Sequence, residues 1–179
     1  CIGCNICVTG DFLATPMRCT QNPTMGEEWR RGWHPESIAP KKRDDNVLVI
    51  GAGPSGLEAT RALAQRGLSV TLAEASTKLG GRISSESRLP GLSQWKRVTD
   101  YREYQINQMA NVQVFYDSML DAQNVIDFGA DHIVIATGAT WARHGIGRHN
   151  HVPIPTTVGS SVLTPDEIMA GVTPKGPVI

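Results

Sequence analysis

Four cysteines are the side chains best able to do chemistry here, and Cys1, Cys4, Cys7 and Cys19 all fall at the start of the chain. Their spacing is C-x2-C-x2-C-x11-C. Disulfides between neighbours three apart would close very small loops, and nothing else suggests a cross-linked, secreted mini-protein. A four-cysteine zinc site is an alternative, although such sites usually use two CxxC pairs with a loop between them. Three cysteines at intervals of three, with a distant fourth, fit the ligation of a [4Fe–4S] cluster better. A tight turn would aim three thiolates at three corners of the cluster, and a separate segment would bring the fourth. Gly3 and Gly10 allow the turn, and Ile2, Ile6 and Val8 are expected to shield the sulfurs. Beyond Cys19, Trp29, Arg30, Arg31, Trp33 and His34 follow with little periodicity. They read as an ordered wrap, either a sheath tuning the cluster through charge and hydrogen bonds or packing against another domain. His34 is expected to be structural.

A second constellation begins at Gly51-Ala52-Gly53-Pro54-Ser55-Gly56. It follows the apolar run Val47–Ile50, and a helical pattern runs on from Pro54 to about Gln65. Gly67 ends that pattern, and a strand over Val70–Ala73 leads into Glu74. Strand, glycine turn, helix, strand and acid together form a dinucleotide-binding context. Gly51 permits the turn, Gly53 lets backbone approach a pyrophosphate, and Gly56 lets the helix pack closely. The helix start at Pro54 and Ser55 offers free N–H groups and a partial positive charge. Glu74 would accept hydrogen bonds from ribose hydroxyls and repel a 2′-phosphate. Gly80, Gly81 and Arg82 form a second turn able to meet a diphosphate or ribose. Thr137 and Gly138 close a buried strand whose small carboxyl end suits a nucleotide crevice.

These groups need a scaffold, and the remaining patterns supply it. A helical stretch over Gln94–Met109 precedes a strand at Val112–Tyr116. A short helix then stops at Gly129, and a strand follows from Asp131. Thr164 and Pro165 open another short helix. His132 reads as a packed or edge residue, and His149 and His151 as incidental residues of an exposed loop. The fold class expected is α/β, a Rossmann-like parallel sheet preceded by an irregular cysteine-rich segment. Residues 1–40 are assigned to the cluster segment, 41–174 to the dinucleotide domain and 175–179 to the start of a following domain.

The chain has 179 residues with 17 basic and 17 acidic side chains. Zero net charge argues against nucleic-acid binding, which needs an excess of Lys and Arg to displace counterions. No apolar run approaches the roughly 18 residues of a membrane span. No basic, apolar leader is visible, and a cytoplasmic location is expected. The opening at Cys1, without an initiator Met, suggests a piece of a longer protein.

Taken together, Cys1-Ile2-Gly3-Cys4-Asn5-Ile6-Cys7, Cys19-Thr20-Gln21-Asn22, the Gly26–Glu36 tract and Gly51–Gly56 resemble the iron–sulfur flavoprotein amine dehydrogenases, the trimethylamine, dimethylamine and histamine enzymes. The chain is more distantly similar to the 2,4-dienoyl-CoA reductase and NADH:flavin oxidoreductase group. The resemblance implies an FMN-bearing barrel, absent from these residues, where an amine is oxidised. It also implies a [4Fe–4S] cluster passing electrons to an electron-transfer flavoprotein, and a homodimer. In the amine dehydrogenases the nucleotide fold holds ADP, and in the reductases it holds FAD. By this resemblance, the present residues supply cluster ligands and an ADP site, and on their own oxidise no amine.

Overall fold

The structure is a computed structural model that describes residues 1–22, 24–27, 29, 37–147, 149–157 and 159–176. The wrap expected at Arg30, Arg31, Trp33 and His34, and the strand start expected beyond 176, lie outside the described residues. Two compact units emerge, Cys1–Gly138 and Ala139–Ile179.

The first unit is built on four parallel strands: β1 (Asn46–Ile50), β2 (Ser69–Ala73), β3 (Val112–Phe115) and β4 (His132–Ile135). Their order is β3-β2-β1-β4, so the expected α/β parallel sheet is present. Central strands flanked on both sides must be apolar throughout, and Val47, Leu48, Val49, Val70 and Leu72 are all buried. The register pairs Leu48 with Thr71 on one side and with Ile133 on the other. A polar clasp sets the start of the β1–β4 pair. Asn46 N–H donates to Asp131 Oδ2 at 2.8 Å, and Asp131 N–H donates to Asn46 Oδ1 at 2.9 Å.

Helix α1 (Ile6–Phe12) lies in the cysteine segment, and α2 (Pro54–Gln65) joins β1 to β2. α2 ends where Gly67 takes φ +97°. There Gly67 N–H donates to Ala64 O and Leu68 N–H to Leu63 O, a Schellman closure that satisfies the last carbonyls. The short α3 (Ile83–Glu86) and a 3₁₀ turn at Ser93–Lys96 precede α4 (Arg97–Asn107), and α5 (Ala122–Phe128) precedes β4. The helical pattern expected from Gln94 is therefore split between the 3₁₀ turn and α4. Leu57 and Ala64 of α2 and Ile106 of α4 join the sheet residues in one apolar core.

The burial expected of β4 is not found. Ile133 and Ile135 are exposed, while Val134 packs on the core. With a period of two, Val134 faces the α2–α4 layer and its neighbours face away. Among the described residues, β4 pairs only with β1. His132 sits at this edge, its Nε2 3.1 Å from Asp45 Oδ2.

In the second unit, α6 (Pro165–Met169) carries the expected Thr164 cap. The Thr164 hydroxyl accepts from Glu167 N–H, and the Glu167 carboxylate reaches back to the cap. Arg143 pairs with Glu167.

An ion-pair cluster lies between α2 and α4. Glu58 accepts from Arg61 Nη2 at 2.7 Å and from Arg102 Nε at 2.7 Å. Burial alone would raise the Glu58 carboxyl, but the Arg61 hydrogen bond and the Arg102 and Arg61 charges together hold it below its ordinary value of 4.5. A carboxyl lowered by folding adds stability above its unfolded value, and that contribution is lost as pH falls through the folded value. Glu58→Gln is expected to lose roughly 2 kcal/mol at neutral pH, the scale of hydrogen bonds to charged groups. Urea unfolding across a pH series should show the gap to wild type closing below about pH 4.5.

Candidate functional site

The site forms where β1 ends. Gly51 stands at φ +96°, and a Cβ there would lie 2.6 Å from Ala136 O. A Cβ on Gly56 would lie 1.8 Å from Gly51 O. These two positions accept no side chain, because the turn is closed by backbone packing on backbone. Gly53 differs. It caps α2 with ordinary extended backbone, and nothing stands within 4 Å of where its Cβ would point. Pro54 occupies the first helical position, where a missing N–H costs nothing. Ser55 is exposed. The α2 N-terminus therefore presents its amides and its partial positive charge beside open space.

The second glycine turn closes on the first. Gly80 N–H donates to Ala52 O at 2.8 Å, and a Cβ on Gly81 would lie 3.1 Å from Gly53 Cα. Arg82 stands at the α3 N-terminus, its Nε 3.9 Å from Glu86 Oε1. Thr137 and Gly138 follow β4 on the other side and are exposed. Ala136 N–H donates to Ile50 O, which sets Ala136 against the glycine turn.

Glu74 is buried at the end of β2. Its Oε2 accepts from Ala52 N–H at 2.7 Å, and its Oε1 accepts from Ser76 N–H at 2.9 Å and Ser76 Oγ at 2.8 Å. An ionised carboxylate offers about four lone-pair positions. Three donors leave one on Oε2 for a hydroxyl. Glu74 thus braces the turn as well as facing the crevice, a duty its position in the sequence did not reveal. Ser76, two residues on, is a short polar residue of the kind that bonds locally in turns.

Glycine turn, helix start, second turn and acid are brought together as a cradle that a Cβ at Gly53 would begin to fill. Its chemistry suits a phosphate ester with a vicinal diol.

The cysteine segment is less convergent. All four cysteines are free thiols, and Cys7 lies within α1. Cys4 Sγ is 3.2 Å from Thr20 Oγ1, so the neighbour of Cys19 touches Cys4. The Thr20 hydroxyl, and after it the Ile6 amide, hold the Cys4 thiol below its ordinary value against a smaller opposing effect of burial. A sulfur biased toward thiolate is the form that binds soft metals. Among the described residues, no three cysteine, histidine or acidic side chains are gathered into a metal-holding group. The shielding expected of Ile6 and Val8 is also absent: both are exposed, since α1 buries none of its residues, whereas Ile2 is buried. No helix among the described residues is long and apolar enough to cross a membrane.

Known proteins match this arrangement. Residues 45–160 match the pyridine nucleotide-disulphide oxidoreductase family. The chain is 41% identical to dimethylamine dehydrogenase of Hyphomicrobium sp. (strain x), over 96% of its own length and 24% of that protein. The structure of histamine dehydrogenase from Rhizobium sp. 4-9 superposes with a TM-score of 0.89 and 58% identity, over 97% of this chain and 25% of the other. That of 6-hydroxypseudooxynicotine amine oxidase from Pseudomonas geniculata N1 gives 0.88 and 48%, over 97% and 26%. The chain spans about a quarter of the length of these relatives.

The two glycine contacts separate on stability. Gly56→Ala must displace α2 from the turn and should cost about 1–3 kcal/mol, as overpacking does. Gly53→Ala has room for its methyl and should stay within about 0.5 kcal/mol of wild type. Denaturant unfolding of both variants checks the contrast.

Proposed function

We propose, for a chain that belongs to the pyridine nucleotide-disulphide oxidoreductase family and is a homologue of the amine dehydrogenases, that it is the cluster-bearing and ADP-binding part of an FMN- and [4Fe–4S]-dependent dehydrogenase of a small amine. The observation that carries this reading is identity of 41% and 58% running along 96–97% of the chain, cysteine segment and glycine cradle together. A glycine turn alone would support only a nucleotide site.

Cys1, Cys4, Cys7 and Cys19 would hold the cluster, and Gly51, Gly53, Gly56, Glu74, Gly81 and Arg82 would hold ADP, with Thr137 and Gly138 at the crevice edge. When bound, the cluster supplies one-electron transfer between a flavin and an outside acceptor, here an electron-transfer flavoprotein. The chain's own residues do three things. The α2 amides neutralise phosphate charge, and the free Oε2 position of Glu74 takes a ribose hydroxyl. The Thr20 hydroxyl lowers the Cys4 thiol from its ordinary value and so favours its thiolate form. The same Glu74 carboxylate disfavours a 2′-phosphate, since two anions in a buried crevice repel.

The full-length protein, purified without oxygen and then denatured, should release ADP in a one-to-one ratio with the chain, and iron with an equal amount of acid-labile sulfide. Release of FAD instead would replace ADP by flavin in this reading. Zinc without iron would remove the cluster from it. Gly53→Ala, although stably folded, should bind ADP at least about tenfold more weakly, or about 1.4 kcal/mol, by isothermal titration.

A further inference from the structure

Arg102 of α4 is buried, and its guanidinium reaches three places at once. Nε donates to Glu58 Oε2 on α2 at 2.7 Å, Nη1 to Val98 O at 3.0 Å and Nη2 to Thr20 O at 3.2 Å. Thr20 is bonded to Cys19 in the chain, and its hydroxyl touches Cys4 Sγ. Glu58 stands five residues along α2 from Gly53, the cap that opens the cradle. One side chain therefore connects the helix that faces the nucleotide site with Thr20, which follows one cysteine and touches another.

The loop that Arg102 grips is internally braced. Arg18 Nη2 pairs with Glu27 Oε1 at 2.6 Å, and Arg18 Nη1 donates to Met25 O at 3.2 Å. Gly26 stands at φ +82°, where a Cβ would lie 2.4 Å from Met17 O. A braced loop held at one point moves as a unit with that point. α1, by contrast, buries none of its residues.

We propose that Arg102 is a positioning residue that couples the two sites: it locks the Thr20 carbonyl, one residue beyond Cys19, to α2, so that ADP in the cradle orders the thiols of Cys4 and Cys19. The coupling rests on the ADP reading above, whereas the tether itself does not. A planar fork is needed for this work. A lysine would keep the charge beside Glu58, but its three donors radiate from one nitrogen and cannot span the separate positions that Nε and Nη2 reach. By linkage, a ligand that orders a segment is bound more tightly by a protein in which that segment is already ordered.

The test uses the full-length protein and its Arg102→Lys and Arg102→Met variants. Cys4 and Cys19 are alkylated with iodoacetamide after chelation of any metal, with and without ADP, and the rates are mapped by mass spectrometry. In parallel, iron release to a chelator and the electron paramagnetic resonance of the reduced cluster are recorded on untreated protein. Both variants should show alkylation of Cys19 at least about tenfold faster, the consequence of about 1.4 kcal/mol less local order. In both, protection by ADP should fall, iron release should quicken and the resonance should broaden. Arg102→Lys should keep its thermal unfolding within a few degrees of wild type, which separates the tether from general stability. Wild-type alkylation rates in Arg102→Lys would overturn the tether. ADP protection unchanged in Arg102→Met would overturn the coupling. If wild type holds no iron but its thiols respond as expected, the cluster reading fails while the tether stands. If ADP does not affect wild-type thiols but both variants are alkylated faster, the coupling fails and the tether again stands.

Discussion

The closeness of α2 to the end of β1 is the constraint on which the rest of the molecule depends. With the Gly56 Cβ position 1.8 Å from Gly51 O, helix and turn meet backbone to backbone, nearer than any side chain allows. That contact fixes where the helix begins, and with it where the free amides stand. It also fixes how α2 lies on the sheet, so that Leu57 and Ala64 reach the core and Glu58 reaches Arg102. Ala136 packs against the same turn from β4, and Gly80 bonds to it from the second loop. Three separate stretches of chain thus meet around one peptide turn. An added methyl group at its centre would disturb each of them.

Charge is used sparingly and locally. Net charge is zero, so attraction for an anion is local, and the aligned amides at the helix start supply it. The buried ionic groups are multiply bonded, as low-dielectric surroundings require. Glu74 takes three donors, and Glu58 takes two guanidinium groups. In both cases an acid, buried at Glu74 and half-buried at Glu58, joins elements far apart in sequence, and specificity of placement follows from the directionality of these bonds.

Much of this was legible from the sequence, because the signals are local. The run Val47–Ile50, the glycines at 51, 53 and 56 and the stop at Gly67 each depend on neighbours within a few residues. The Thr164–Pro165 helix start is of the same kind. What stayed hidden depends on partners distant in the chain. β4 reads as buried because it is apolar, yet Ile133 and Ile135 are exposed; an apolar run does not tell how many faces are covered. The helix at Ile6–Phe12 contradicts no motif, but cysteine spacing announces ligation and says nothing of helicity. Arg102 is one arginine among many until the structure places it against residues 44 and 82 positions away. Glu74 is legible from its place after β2, whereas its hold on Ala52 and Ser76 depends on how the turn folds back on it.

The span of that last arginine contact has a meaning for biosynthesis. Chains are made from the amino end, and contacts between distant segments form late. The thiol segment precedes Arg102 by some eighty residues, and the β1 turn precedes its Ala136 wall by a similar length. On a ribosome adding roughly 5–20 residues per second, the cysteines emerge several seconds before the residue that steadies them. For that interval they are open to oxidants and to other thiol reagents. Newly made chains would then be the form whose thiols are most accessible, before Arg102 is in place.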